Sequence, residues 1–235
     1  MNSKFVFITL LLASFLVGCN LASPVASSTP VPSDTPTLEF NQPTSPPVAI
    51  TTSVPPSTIV TLPCITPLSV DQAILQEAAE VVAALKDKDM AALSRLVHPQ
   101  MGLRFSPYAA VKASDQLFTP DRVAGLLADN TTYTWGAYDG SSATIELTFA
   151  DYYAKFVYDE DFANPPQLAL NHRLGVSTTL DNSTEFYPGS MIVEYYFPGF
   201  DPQYEGMDWR SLRLVFMQDE NTWYLVGIIH DQWTT

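Results

Sequence analysis

His230 and Asp231 form the best local pair of residues that could carry acid–base chemistry. They stand together at the end of the last apolar, strand-like run of the chain. A histidine at the mouth of a pocket can act as a general base, and a neighbouring acid can orient it. The same pair also fits a strand-end histidine that bonds only to backbone or to a nearby carboxylate, and the sequence leaves both interpretations open.

Three further residues, Arg104, Tyr108 and Trp209, are candidates for binding a ligand. Arg104 and Tyr108 belong to a short run that could present a cation, a hydroxyl and a phenol to a polar or anionic molecule. Arg104 could equally pair with an acid, and Trp209 fits a core position as well as a ligand cage. The loop Pro198–Asp208 carries oxygen ligands that suit Ca²⁺, but its spacing matches no calcium motif and favours a turn-rich connection.

None of the familiar catalytic or metal-binding motifs occurs in the sequence. There is no GxSxG elbow, no HExxH helix, no phosphate-cradling loop and no CxxC pair. His98, His172 and His230 are too dispersed to predict a metal site by their spacing. The sequence therefore predicts neither a metal nor a cofactor, and it favours a binding module over an enzyme.

Cys19 is the residue whose surroundings predict a covalent modification. It follows Lys4 and the apolar stretch Phe5–Val17, which is shorter than the ~20 residues of a spanning helix and is typical of a signal peptide. The run Leu16–Cys19 resembles the lipobox of bacterial lipoproteins, in which the cysteine thiol takes a diacylglycerol and a peptidase cleaves before it. The resemblance implies a signal peptide over residues 1–18 and a lipid on Cys19; an ordinary secretory signal is the alternative.

A lipid on Cys19 predicts a protein held at the extracytoplasmic face of the cell membrane, because two acyl chains make a stable anchor. Cys64 then has no partner for a disulfide, and we expect it to be inert. The formal net charge is −14 and there is no basic run. Nucleic acid is therefore a poor partner.

Residues 19–62, which begin with the lipidated cysteine, form a tether rich in serine, threonine and proline. Only Asp34 and Glu39 carry charge there. Such a segment cannot bury enough apolar surface to fold, so we expect it to be disordered. At ~3.1 Å per residue in extended polyproline II it would reach on the order of 100 Å. Residues 63–235 are expected to form a single domain.

Capping signals predict the helices of this domain. Ser69 and Gln72 form a capping box ahead of helically spaced apolar residues, and Asp89, Thr119 and Thr148 stand before further helices. The predicted helices are 70–87, a short one from 90 to 97 that ends before Pro99, 120–128, and one that follows Thr148.

Strands are predicted where β-branched and aromatic residues alternate or cluster. The expected extended segments are 101–106, 131–138, 191–197, 209–217 and 223–230, with a turn at Asp139-Gly140 and a hairpin loop at 218–221. Helices first and antiparallel strands last predict an α+β domain, with helices packed on one face of a curved antiparallel sheet.

Several runs of the domain resemble a group of uncharacterised bacterial lipoproteins whose domain is similar to the cone-shaped nuclear transport factor 2-like fold. The runs are 98–99, 102–108, 133–136, 206–216 and 223–234. The resemblance implies the cone fold over about residues 70–235. It supplies no catalytic residues, and the cone fold does not settle the function, because that fold hosts both enzymes and binding modules.

The sequence thus favours a membrane-anchored, non-catalytic module that binds a small, partly apolar molecule or a segment of an envelope protein. One alternative is a cone-fold hydrolase, isomerase or dehydratase with His230 as its base; another is a structural domain packed against a partner. A small-ligand site requires a pocket above ~300 Å³. The enzyme requires His230 to point into a cavity beside an acid.

Overall fold

The computed structural model describes residues 69–234, which form an α+β domain. The signal peptide, Cys19, the tether and Cys64 lie outside the described residues. The helices are α1 (Val70–Lys86), α2 (Met90–Leu96), α3 (Pro120–Val123), α4 (Phe149–Phe156) and α5 (Ser183–Phe186). The strands are β1 (Leu103–Ser106), β2 (Leu117–Phe118), β3 (Tyr133–Ala137), β4 (Thr144–Leu147), β5 (Gln167–Leu170), β6 (Met191–Phe197), β7 (Arg210–Asp219) and β8 (Thr222–Gln232).

The capping signals position α1, α2 and α4. Ser69 Oγ accepts from the Gln72 amide at 3.2 Å, and Gln72 Oε1 accepts from the Ser69 amide at 3.0 Å, which completes the capping box. Asp89 Oδ1 accepts from the Ala92 amide at 2.8 Å at the start of α2. Thr148 caps α4 in the same way, through the Asp151 amide. These three predictions are confirmed.

The predicted helix over 120–128 is wrong in its length. Helix α3 ends at Val123, and a separate 3-10 turn follows at Leu126–Ala128. Gly125 lies between the two, and glycine is a poor helix former because its backbone loses the most freedom on folding. Thr119 precedes Pro120 as expected but makes no side-chain capping bond.

Six strands form one curled, open sheet in the order β2-β1-β8-β7-β6-β5. The neighbours pair antiparallel, except that β1 lies parallel to β8 with Phe105 opposite Ile228. The prediction of an antiparallel sheet is wrong at this pair. The C-terminal hairpin is tighter than predicted, since β7 and β8 are joined by Glu220-Asn221 alone, with Glu220 at φ 53°. Strands β3 and β4 form a separate hairpin.

The two faces of the sheet carry different layers. One face packs against α1, α2 and α4 to form the main core. The other carries a smaller apolar cluster that includes Ile192, Val215 and Ile229, together with Tyr187 next to α5. Residues 171–182, called the strap below, bond to this second face. The helices therefore pack mainly on one face, as predicted, and the strap covers part of the other.

Candidate functional site

His230 lies on β8 with its ring fully enclosed. Its Nδ1 is 3.3 Å from the Pro107 carbonyl oxygen, and its Nε2 is 3.1 Å from Asp159 Oδ2. The Phe156 ring packs against the His230 ring in a T-shaped arrangement, with the ring centroids 5.5 Å apart. Both ring nitrogens are therefore engaged by oxygen atoms of the protein itself, which leaves neither one directed at a ligand.

The acid bonded to His230 is Asp159 rather than Asp231. Successive residues of a strand point to opposite faces, so Asp231 leaves the sheet on the strap side. Burial opposes ionisation of Asp159, but the charge and hydrogen bond of His230 and the charge of Arg210 outweigh it and lower the pKa of Asp159. Asp159 is thus held between His230 and Arg210.

Asp231 belongs to an ionic network that fastens the strap. Its Oδ2 accepts from Arg173 Nη2 at 2.8 Å and from Arg213 Nη2 at 3.2 Å. Arg213, which is buried, also pairs with Asp181 at the far end of the strap. Two guanidinium groups and two carboxylates thus face one another in this network, and they hold the strap on the sheet.

Glu194 of β6 makes a second attachment of the strap. Its carboxylate accepts from the backbone amides of Leu174 at 2.6 Å and Gly175 at 3.1 Å, and from Ser211 Oγ at 2.6 Å. The candidate Trp209 packs beneath the same segment and is 3% exposed. A Cβ on Gly175 would clash with its ring. Trp209 therefore supports the strap instead of lining an open cage.

Arg104 stabilises the loop that follows β1. Its Nη1 donates to the carbonyl oxygens of Lys112 at 3.3 Å, Ala113 at 3.0 Å and Asp115 at 2.6 Å. Its guanidinium lies over the Phe186 ring, 5.3 Å from the centroid. The role of Arg104 in this structure is to fix the backbone around Asp115.

Tyr108 is the sequence candidate that lines a cavity. This cleft, of about 150 Å³, lies between the loop after β1 and the β3–β4 hairpin, and Asp115, Trp135 and Asp139 also line it. The Asp115 Oδ2 atom accepts from Ser106 Oγ at 2.6 Å and from the Lys112 amide at 2.9 Å. Burial nevertheless raises the pKa of Asp115, and it raises the pKa of Tyr108 as well.

Tyr152 lies beside this cleft, with its ring stacked on Trp135 at a centroid distance of 3.8 Å. Its buried hydroxyl has no hydrogen-bond partner within the described residues. Burial is the main cause that raises its pKa, and the nearby Asp115 and Tyr108 add to the effect. The cleft thus combines an acid and a phenol of raised pKa, which is a feature of functional sites, but its volume is below the ~300 Å³ at which ligand pockets usually begin.

A larger and more apolar groove runs along α1. It has a volume of about 500 Å³, which lies inside the ~300–1,000 Å³ range of small-molecule sites. Its walls come from α1, the segment before β5, β5 itself and β6, and Lys86 and Asp87 stand at one end. The apolar residues are Leu75, Ala79, Val82, Ala83, Ala163, Pro165, Leu168 and Tyr195.

No protein-family model matches the chain, and no curated protein matches it. Residues 69–234 contain no group of three or more histidine, cysteine, aspartate or glutamate side chains arranged to hold a metal ion. In the same range, no helix has the length and apolar character needed to cross a membrane.

Sequence reasoning found Tyr108 but not the residues around it. Asp115 reaches the cleft through loop geometry and Trp135 through the β3–β4 hairpin, and no local pattern encodes their meeting. The apolar spacing of α1 did include Leu75 and Val82. Their groove was missed because the opposite wall, with Pro165 and Leu168, comes from a segment without a helical or strand signal long enough to read.

Proposed function

We propose that this chain is a lipoprotein, held at the extracytoplasmic face of the cell membrane by a lipid on Cys19, whose domain is a non-catalytic binding module. The observation that carries the binding function is the groove along α1. Its volume of about 500 Å³ and its mainly apolar walls suit a small, partly apolar molecule or an apolar segment of an envelope protein. The tether of residues 19–62 would let the domain reach such a partner away from the membrane.

The finer fold assignment belongs to the same proposal. We assign the domain to the nuclear transport factor 2-like cone fold. Support comes from two N-terminal helices that pack on one face of a curled six-stranded sheet, and from the long hairpin with which the sheet ends. The resemblance to uncharacterised bacterial lipoproteins, carried by runs such as Gly102–Tyr108, supports it as well.

The enzyme with His230 as its base gains no support from the geometry. A general base must reach the proton that it removes, whereas His230 is enclosed and both its nitrogens face protein oxygens. Asp231, proposed to orient it, bonds to Arg173 and Arg213 instead. The binding function is therefore the one that we retain.

Replacement of Cys19 by serine tests the anchor. A serine hydroxyl cannot form the thioether, so the Cys19→Ser chain should remain an uncleaved, unlipidated precursor. Metabolic labelling with a radioactive fatty acid should mark the wild-type chain and leave the variant unlabelled. Equal labelling of the two chains would refute the anchor.

A photoreactive residue at position 168 tests the groove in the cell. Leu168 lines the groove and is 46% exposed, whereas Leu180 is 83% exposed on the strap outside it. We expect p-benzoylphenylalanine at position 168 to form a discrete adduct on irradiation and the same residue at position 180 to form none. An identical pattern at both positions would contradict a specific site in the groove.

A further inference from the structure

The loop between β6 and β7 and the end of the chain together expose an aromatic surface. Phe200, Tyr204, Met207 and Trp233 are between 37% and 50% exposed, and they are four of the ten large apolar side chains exposed within residues 69–234. Trp233 follows directly after β8, so the loop and the chain end meet at one edge of the domain. Exposed aromatic residues in such a concentration are typical of recognition surfaces.

Three of these side chains line an open depression of about 390 Å³. Tyr204, Met207 and Trp233 supply its apolar surface, and Asp208, Arg210 and Gln232 supply polar groups. The volume exceeds the ~300 Å³ at which ligand sites begin. Aromatic and hydrogen-bonding groups thus line a single shallow site.

The loop that carries Tyr204 is held in shape before any ligand arrives. Asp208 Oδ2 accepts from the amides of Phe200 at 3.0 Å and Asp201 at 2.8 Å. Asp201 Oδ1 accepts from the Gln203 amide at 2.9 Å and caps the 3-10 turn Pro202–Tyr204. A site built on an ordered loop loses less entropy when it binds.

The polar residues of the depression keep unused donors. Arg210 bonds through Nε to Asp159 and through Nη1 to the carbonyl oxygens of Asp208 and Trp209. Within the described residues its Nη2 makes no hydrogen bond, and neither does the side-chain amide of Gln232. Both groups can therefore bind hydroxyl oxygens of a ligand.

A pyranose ring has the matching chemistry, because its C–H faces are apolar and its edges carry hydroxyl groups. Aromatic side chains pack against such faces, and Arg210, Gln232 and the rim can bond the edges. The acids Asp201, Glu205 and Asp208 lie in the same loop and disfavour an anionic ligand. We propose that this depression binds a neutral polysaccharide chain built of hexopyranose units, at a site separate from the groove along α1.

The test is a titration of the full chain, kept in a detergent without a sugar headgroup, with three probes: cellohexaose, maltohexaose and hexa-N-acetylchitohexaose. Trp233 reports on the site, since Trp135 and Trp209 are buried and the half-buried Trp223 lies at the opposite end of β8. At least one probe should change the tryptophan fluorescence in a saturable manner. By calorimetry, Trp233→Ala and Tyr204→Ala should each weaken that binding by about tenfold, the loss expected for one aromatic contact.

Phe200→Ala is the matched control, because Phe200 is an exposed aromatic of the same loop that does not line the depression. It should bind within twofold of the wild-type chain. Binding of none of the three probes would overturn the proposal, and so would binding that survives in both Trp233→Ala and Tyr204→Ala. Trp233 and Tyr204 lie outside the groove along α1, so Leu168→Glu should leave glycan binding intact. A failure of the glycan site can therefore be distinguished from a failure of the groove.

Discussion

Glu194 and Tyr195 are neighbours on β6, yet they face two regions of different character. Glu194 enters the strap face, where Arg173, Arg213 and Asp231 are also bonded to one another or to backbone. Tyr195 borders the groove along α1, where ordinary apolar side chains leave open volume. The charged residues of the strap face therefore bond mainly to one another and to the strap, whereas the groove is built from ordinary apolar residues.

The strap face should be the more costly region to disturb. Replacing Asp231 with alanine leaves Arg173 and the buried Arg213 without their shared carboxylate. Removing one partner of a buried ion pair costs about 3–5 kcal/mol, because the other charge stays buried without compensation. The free energy of unfolding, measured by urea titration, should therefore fall by about that amount. Asp121→Ala removes a carboxylate from an exposed position and should change the free energy of unfolding by less than about 0.5 kcal/mol. Equal effects of the two variants would mean that the network does not hold the strap.

The contact between the strap and Trp209 should give a smaller loss. A Cβ at position 175 would clash with the indole ring, and overpacking costs about 1–3 kcal/mol. Gly175→Ala should therefore lower the thermal midpoint of unfolding. Gly125→Ala is the control, since its Cβ would meet only the Arg122 carbonyl oxygen at 3.9 Å. If the strap can move away from Trp209 at little cost, Gly175→Ala and Gly125→Ala should have the same thermal midpoint of unfolding.

Helix α4 offers the finest comparison, between two adjacent tyrosines. Tyr153 donates its hydroxyl to the Leu85 carbonyl oxygen, whereas the Tyr152 hydroxyl is buried with no partner in the described residues. Tyr153→Phe should lower the free energy of unfolding by about 0.5–1.5 kcal/mol, and Tyr152→Phe should leave it unchanged or raise it. Urea titrations of both variants measure the free energy of unfolding. If Tyr152→Phe lost as much stability as Tyr153→Phe, the Tyr152 hydroxyl would have to be hydrogen-bonded.

Local signals predicted the parts of the fold that one segment can specify. The capping box at Ser69, the caps at Asp89 and Thr148, strand β6 and the C-terminal hairpin all follow from nearby residues. Strands β2, β4 and β5 contain two to four residues each and show no readable period. The parallel pairing of β1 with β8 joins segments from opposite ends of the domain, so no window of sequence contains it.

The candidate residues illustrate the same limit. His230 and Asp231 are adjacent in the chain, but the strand directs them to opposite faces and towards partners 71 and 58 residues away. Tyr108 was recognisable as a phenol in a polar run, whereas Asp115 becomes distinctive only through burial. The groove depends on how α1 packs beside the segment before β5, and no single stretch of sequence encodes that arrangement.

Native mass spectrometry of the full chain, purified from the membranes of its own host, tests the central claim most directly. The groove should retain a reproducible non-covalent adduct in the wild-type chain and in Leu180→Glu, and lose it in Leu168→Glu, which places a charge among the apolar walls. The mass of the adduct would then identify the ligand class. An adduct that persists unchanged in Leu168→Glu, or a bare protein mass in all three chains, would contradict the groove as the binding site.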